Sequence, residues 1–218
     1  MAIELAPRRD IRILDLGCGS GAFLLRLKDL GFTQLWGVDI EPPKIGLTGI
    51  SLSSIDIDTG RIPHADAAFD LIFAIEVIEH VENLGLVLRE LNRLLAKGGQ
   101  VVLTTPNVHS AEAKLRFLLL DRLKQFDEIG DPTHITPIFQ YPFEKMLRRH
   151  SLTIQRRWGF PLDGSSVTSR PLLRSIAFLT RLLARSATQG DNLFMILERS
   201  DVPSMVGPDK RLTLTAHY

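Results

Sequence analysis

Residues 13–23 read ILDLGCGSGAF. Ile11 to Gly17 form a short apolar run closing on Asp15 and Gly17, the pattern of a buried strand. From Gly21 the period changes. Phe23, Leu24, Leu27 and Leu30 recur at helical spacing, and Gly31 supplies a C-terminal stop. Between strand and helix stand Gly17, Gly19 and Gly21. A backbone this bare lets a ligand approach without a Cβ in the way. In open α/β sheets that ligand lies beyond the carboxyl ends of the strands.

Strands and helices alternate outward from this unit. Residues 34–40, 50–57, 69–76 and 100–105 read as strands, and 69–76 is apolar on both faces, as a central parallel strand requires. Leu84, Val87, Leu88, Leu91, Leu94 and Leu95 mark a helix that Gly98 and Gly99 stop. Pro42 and Pro43 curtail any helix after the second strand. Residues 110–125 read as a helix with Ser110 as N-cap, and Pro142 starts another that runs to about His150. Residues 153–160 and 192–200 are late strands, with a helix near 171–185 between them, and 201–218 is a loosely ordered tail. The alternation argues an α/β fold with a parallel sheet.

Composition sets outer bounds. At 218 residues one domain is expected, and a net charge of +1 exerts no global pull on nucleic acid. The single cysteine, Cys18, excludes an internal disulfide and a cysteine metal cluster. It reads as a small packing residue. The N-terminal residues lack the apolar core of a secretory signal, and no stretch approaches the ~18 apolar residues of a membrane span. The expectation is a cytoplasmic protein without a bound metal.

Two cofactors fit the glycine turn. Gly17 to Ala22 matches G-x-G-x-x-G/A, the dinucleotide fingerprint. Asp15, Gly17, Gly19 and Gly21 also match D-x-G-x-G-x-G, the pattern that S-adenosylmethionine enzymes use. Asp39 ends the second strand in either case, where a carboxylate accepts both ribose hydroxyls.

The following stretch distinguishes them. Ile62-Pro63, Asp66, Phe69-Asp70, Glu76-Val77-Ile78-Glu79-His80 and Lys97-Gly98-Gly99 occur in serial order. Over residues 11–107 the chain resembles the class I S-adenosylmethionine-dependent methyltransferases, in particular the branch of the ubiquinone and menaquinone biosynthesis enzymes. The resemblance implies a Rossmann-like, doubly wound, mostly parallel seven-stranded sheet with helices on both faces. It implies S-adenosylmethionine as cofactor, S-adenosylhomocysteine as product, and a small-molecule methyl acceptor. Asp15 and the loop Gly17, Cys18 and Gly19 would face the methionine part, Asp39 the ribose, and Ile40 the adenine. Asp56 is preferred over Asp58 for the adenine amino group, with the Ile57 amide on a ring nitrogen. Ala74 and Ile75 would line the methionine end. The bland reading of each acid is a turn or cap. The sequence departs from the family in its short N-terminal lead, its curtailed second helix and the missing proline before Gly98.

Methyl transfer to an acceptor that must lose a proton needs a base. His80, at the expected helix start, and His134, in the loop after Asp131-Pro132-Thr133, are the candidate catalytic residues, with a cap and a turn as their bland alternatives. His109 is also within reach of the strand ends. Lid elements are expected from 107–140 and 160–190 within a domain of residues 1–200. Tyr141 and Lys145 spell the Tyr-x-x-x-Lys of short-chain dehydrogenases, but Pro142 at N1 would leave Tyr141 outside the helix. Arg170, Arg174, Arg181 and Arg185 lie opposite Leu172, Ile176, Leu179 and Leu183 on a basic amphipathic helix. Its bland reading is a solvated face. Its sharper one is contact with a membrane surface or an anionic acceptor. A nicotinamide-dependent oxidoreductase, a non-catalytic cofactor-binding subunit and a homo-oligomer remain alternatives at this point.

Overall fold

The computed structural model describes residues 8–43, 48–128, 130–160 and 190–200. The basic segment 170–185, residues 161–189 of the expected lid element 160–190, and the tail after Ser200 lie outside them. Seven strands, β1 (Arg12–Leu16), β2 (Gln34–Asp39), β3 (Ser51–Ser54), β4 (Phe69–Ile75), β5 (Leu95–Pro106), β6 (Leu152–Phe160) and β7 (Asn192–Arg199), form one sheet in the order β3-β2-β1-β4-β5-β7-β6. All pairs are parallel except those of β7, which runs antiparallel to β5 and β6. Consecutive strands step one way from β1 through β2 to β3, then the other way from β1 to β4. Their carboxyl ends diverge at β1, where such sheets bind ligands.

Side chains alternate between two buried faces. Leu14, Leu16, Ile72, Ala74 and Leu103 pack on one side, and Ile13, Leu71, Phe73 and Val102 on the other. Helix α1 (Ala22–Asp29) buries Leu24 and Leu27 on the second face. Helix α2 (Leu84–Leu94) buries Leu84, Val87, Leu88, Leu91 and Leu94 on the first. Double-sided burial explains why β1 and β4 are almost continuously apolar. Helices α3 (Ala111–Leu120) and α4 (Gln140–Arg149) follow β5. Among the described residues no helix is long and apolar enough to cross a membrane.

Several boundaries depart from the sequence expectation. β5 begins at Leu95 instead of 100, because Leu95 pairs with Phe69 and the register shifts over Lys97–Gly99, where Gly98 takes φ 75°. The glycines therefore kink a strand rather than stop a helix. β3 ends at Ser54, since Asp56 folds the next residues into a turn closed by the Gly60 amide on the Asp56 carbonyl. α3 ends at Leu120, with Asp121 as a left-handed C-cap. α4 begins at Gln140, so Tyr141 is inside the helix rather than before it. The Gln140 amide donates to His109 Nε2 at 2.9 Å, a cap that a sequence pattern does not reveal. Tyr141 and Lys145 thus share a face, but the Lys145 ammonium sits 4.6 Å from the center of an exposed Tyr141 ring. This is a surface cation–π contact.

Candidate active site

The glycine turn is fastened to β2 by its own backbone. The Gly17 and Cys18 amides both donate to the Val38 carbonyl, at 2.7 and 3.1 Å. Gly17 has φ 74°, and a Cβ there would lie 2.5 Å from Val77 Cγ2. Gly19, also at positive φ, faces open space. One glycine is required by the fold, and the other leaves room beside the strand ends. The Cys18 side chain is buried, and burial pushes its thiol up to about 11, so it is no nucleophile.

Two carboxylates meet this turn. Asp39 accepts the Gly19 amide at 2.8 Å on one oxygen and the Glu41 amide at 3.0 Å on the other. A carboxylate has about four acceptor positions, so two remain. Asp15, at the end of β1, is only 3% exposed. Burial, and secondarily the Asp39 charge, pushes its pKa up to about 7. Ile40 projects beyond Asp39 and is exposed, while Ala74 and Ile75 end β4 beside β1.

The two acids after β3 have different local roles. Asp56 accepts from the Asp58 amide at 2.9 Å and the Thr59 hydroxyl at 3.0 Å, and its side chain stays exposed. Asp58 accepts from the Glu82 and Asn83 amides at 3.1 and 2.8 Å, tying the loop to the start of α2. Asp58 is thus committed to structure, while Asp56 is a turn former with open acceptor positions. Ile57 is half-buried against the core.

His80 and His134 come together although 54 positions separate them in the chain. His80 lies in a turn after β4 rather than at the helix start; Asn83 performs the capping, accepting from Leu86. The Ile135 and Thr136 amides both donate to the Glu79 carbonyl at 2.9 Å and dock the 133–137 loop there. The two imidazole rings then stand 4.7 Å apart. His80 Nδ1 lies 2.8 Å from the Thr133 hydroxyl, and His134 Nδ1 donates to the Gln125 carbonyl at 2.8 Å, leaving its Nε2 as the acceptor nitrogen.

Glu79, quoted in the motif but given no role there, is the third member. It is fully buried, and neither carboxylate oxygen accepts a hydrogen bond. Burial, followed by the charge of Glu76, pushes its pKa up to about 8. Glu76 is itself held at φ 52°, exchanging hydrogen bonds with the Thr104 hydroxyl at 2.7 and 3.0 Å. One ligand atom from each of Glu79, His80 and His134 lies within 4.8 Å of the others. Among the described residues this set has the composition to hold a divalent cation. The sequence expectation named no metal ligands. The available signal was Glu76-x-x-Glu79-His80, two acids and an imidazole immediately after a strand.

Comparison with known proteins follows this geometry. Residues 2–154 match a family model described as a methyltransferase domain. A malonyl-[acyl-carrier protein] O-methyltransferase of Legionella pneumophila is 35% identical over 121 residues, covering 47% of this chain and 38% of the relative. A ubiquinone biosynthesis O-methyltransferase of Rhizobium etli is 24% identical over 176 residues, covering 76% and 71%. The chain spans less than half the length of the first curated relatives it matches. The crystal structure of a SAM-dependent methyltransferase from Archaeoglobus fulgidus shares the fold, with TM-score 0.59, 20% identity and 91% of each chain covered.

Proposed function

Because this chain belongs to the methyltransferase-domain family, we propose that it transfers a methyl group from S-adenosylmethionine to a small-molecule acceptor. The carrying observation is the junction of Asp15, Gly19 and Asp39 at the diverging strand ends. In this reading Asp39 uses its spare lone pairs on the ribose hydroxyls. Gly17, Cys18, Gly19, Ala74 and Ile75 border the methionine moiety, Ile40 covers the adenine, and Asp56 with the Ile57 amide meets its edge. The sulfonium would sit among Asp15, Asp39, Glu76 and Glu79, and its charge would favour the ionised form of the two buried acids, Asp15 and Glu79, whose pKa burial raises. In the reaction the S–CH₃ bond breaks as the acceptor–CH₃ bond forms, and the sulfonium becomes a neutral thioether. The acceptor proton passes to a base, for which His134 Nε2 and His80 are the candidates. Positioning supplies most of the remaining rate.

The dinucleotide alternative has less support. The common dinucleotide-binding order is 3-2-1-4-5-6, whereas here antiparallel β7 separates β5 from β6. A cytoplasmic setting accords with the single, buried Cys18 thiol.

A second reading of acceptor activation is favoured by the unbonded Glu79 carboxylate. A divalent cation on Glu79, His80 and His134 would lower the pKa of an acceptor hydroxyl directly. Both readings are tested by incubating the purified protein with S-adenosylmethionine and a panel of hydroxylated and amino compounds, with EDTA or with added Mg²⁺. S-adenosylhomocysteine formation that depends on an acceptor supports methyl transfer, and its loss in EDTA favours the cation. Tight cofactor binding with no turnover across the panel in either medium would move the protein to a non-catalytic role.

A further inference from the structure

A cavity of about 480 Å³ lies between α4 and β6, the strand at one end of the sheet order. Its volume falls within the range of small-molecule sites. None of the strand-end residues described above lines it. Arg148 reaches it from the last turn of α4, and Arg156 and Arg157 reach it from β6. The register of β6 on β7 shifts between Ile154 and Arg156, which leaves Gln155 as an extra residue. Such a bulge bends an edge strand. Arg156 and Arg157, which a flat strand would send to opposite faces, both line the cavity.

Glu144 is the one acid of this lining. It accepts from Arg157 at 3.4 Å and from the Gln140 side-chain amide at 2.9 Å. That contact holds Arg157 in place and uses one of its five N–H donors. The Arg156 guanidinium lies 5.7 Å from the center of the Trp158 ring. Among the described residues neither Arg148 nor Arg156 is in an ion pair. Outside the lining, the Glu198 carboxylate accepts from Gln155 at 3.1 Å. The end of a helix favours a cation, which accounts for Arg148 but not for the two arginines of β6.

Three guanidiniums against one carboxylate leave two positive charges. A phosphomonoester carries close to two negative charges at neutral pH, and guanidinium forks match its oxygens in pairs. Leu147, Leu152 and Ile154 form an apolar wall beside the arginines, and Ile154 is half-buried. We infer that this cavity binds a small phosphomonoester, with its phosphate on Arg148, Arg156 and Arg157 and its carbon skeleton against Leu147 and Ile154. The site is separate from the strand ends, and its occupancy does not require S-adenosylmethionine.

The test titrates the full chain with phenyl phosphate at neutral pH, beside inorganic phosphate and benzenesulfonate, by ligand-observed NMR. Phenyl phosphate is expected to bind about ten-fold more tightly than either, since only it has both the dianion and the ring. Arg148→Gln with Arg156→Gln, both at exposed positions, should weaken it about ten-fold or more and leave thermal melts unchanged. Arg149→Gln, on the same helix but outside the lining, should change it less than about two-fold. S-adenosylhomocysteine at saturation should not displace the ester. Equal losses in the two arginine tests would mean a diffuse basic surface and overturn the inference. Displacement by S-adenosylhomocysteine would overturn it too, by placing the ester at the strand ends. So would equal binding of inorganic phosphate, or no binding of the ester. Capture of phosphatidic acid vesicles by a chain that ignores phenyl phosphate would replace the small ester by a lipid headgroup.

Discussion

At the carboxyl ends of β1 and β2 the polar groups close on one another. The Gly17 and Cys18 amides go to Val38, the Gly19 amide goes to Asp39, and Asp15 is buried behind them. On the other side of the candidate site, the 121–137 loop docks through two amides on the Glu79 carbonyl, and Phe117, Leu118, Leu119, Leu120 and Ile135 remain exposed. The first region is already shaped by backbone geometry. The second is a loop scaffold whose apolar surface is only partly covered. Such a division suits a common cofactor on one side and a variable acceptor on the other.

The sharpest way to break this comparison is to remove a group from the loop side and look for an effect on the cofactor side. His134→Ala should lower kcat by roughly 10²–10⁴, the range for a lost general base. It should leave S-adenosylhomocysteine affinity unchanged by calorimetry. A matched loss of cofactor affinity would mean that the two regions are not separate.

The converse change acts through the fold. Gly17→Ala places a Cβ against Val77 at a positive φ, and should cost about 2 kcal/mol by denaturant melts along with cofactor binding. Gly19→Ala meets no neighbouring atom, so thermal melts should report a smaller loss while cofactor binding still suffers. Equal stability losses would show that the two glycines play one role.

Acid–base behaviour sharpens the cofactor side further. The folded pKa of Asp15, about 7, lies above its ordinary 3.8. Its contribution to the stability of the free protein is therefore full below about pH 4 and is lost as pH rises to about 7. A sulfonium favours the ionised carboxylate, so S-adenosylmethionine affinity should rise about ten-fold from pH 6 to 8. Calorimetry should show proton release on binding, with a smaller rise for S-adenosylhomocysteine, whose sulfur carries no charge. Asp15→Asn should flatten this dependence.

The smallest predicted effect separates two neighbouring acids. Asp58→Ala removes the acceptor for the Glu82 and Asn83 amides and should cost about 1 kcal/mol, with cofactor affinity little changed. Asp56→Ala should do the reverse. The pair is read by thermal melts beside titrations.

The two regions also differ in how legible they were. β1 and β4 are legible as short apolar runs buried on both faces, α1 carries a helical period, and the glycine turn between β1 and α1 marks the ligand end of the sheet. Asp39 was legible because a strand end positions it. Glu79 was not, because its meaning depends on Thr133, His134 and the 135–136 amides, more than 50 positions away. Burial of a carboxylate without a hydrogen-bond partner has no local sequence signature. The start of α4 lies two residues before Pro142, because the Gln140 amide finds its acceptor in the distant His109 ring. β5 extends further back than its apolar pattern indicates, because Gly98 and Gly99 permit a strand irregularity as readily as they stop a helix. Local apolar runs and periods set the sheet, and contacts between distant loops set the Glu79–His134 side of the candidate site.

The central claim is that the β1–β2 strand ends hold S-adenosylmethionine. The most direct measurement is calorimetric titration of the purified chain with S-adenosylmethionine, S-adenosylhomocysteine and NADH, repeated with Asp39→Ala. The account predicts binding of the first two, no binding of NADH, and loss of about two orders of magnitude in affinity in the variant, as two charged hydrogen bonds disappear. NADH binding in their place, or S-adenosylmethionine binding that ignores Asp39, would contradict it.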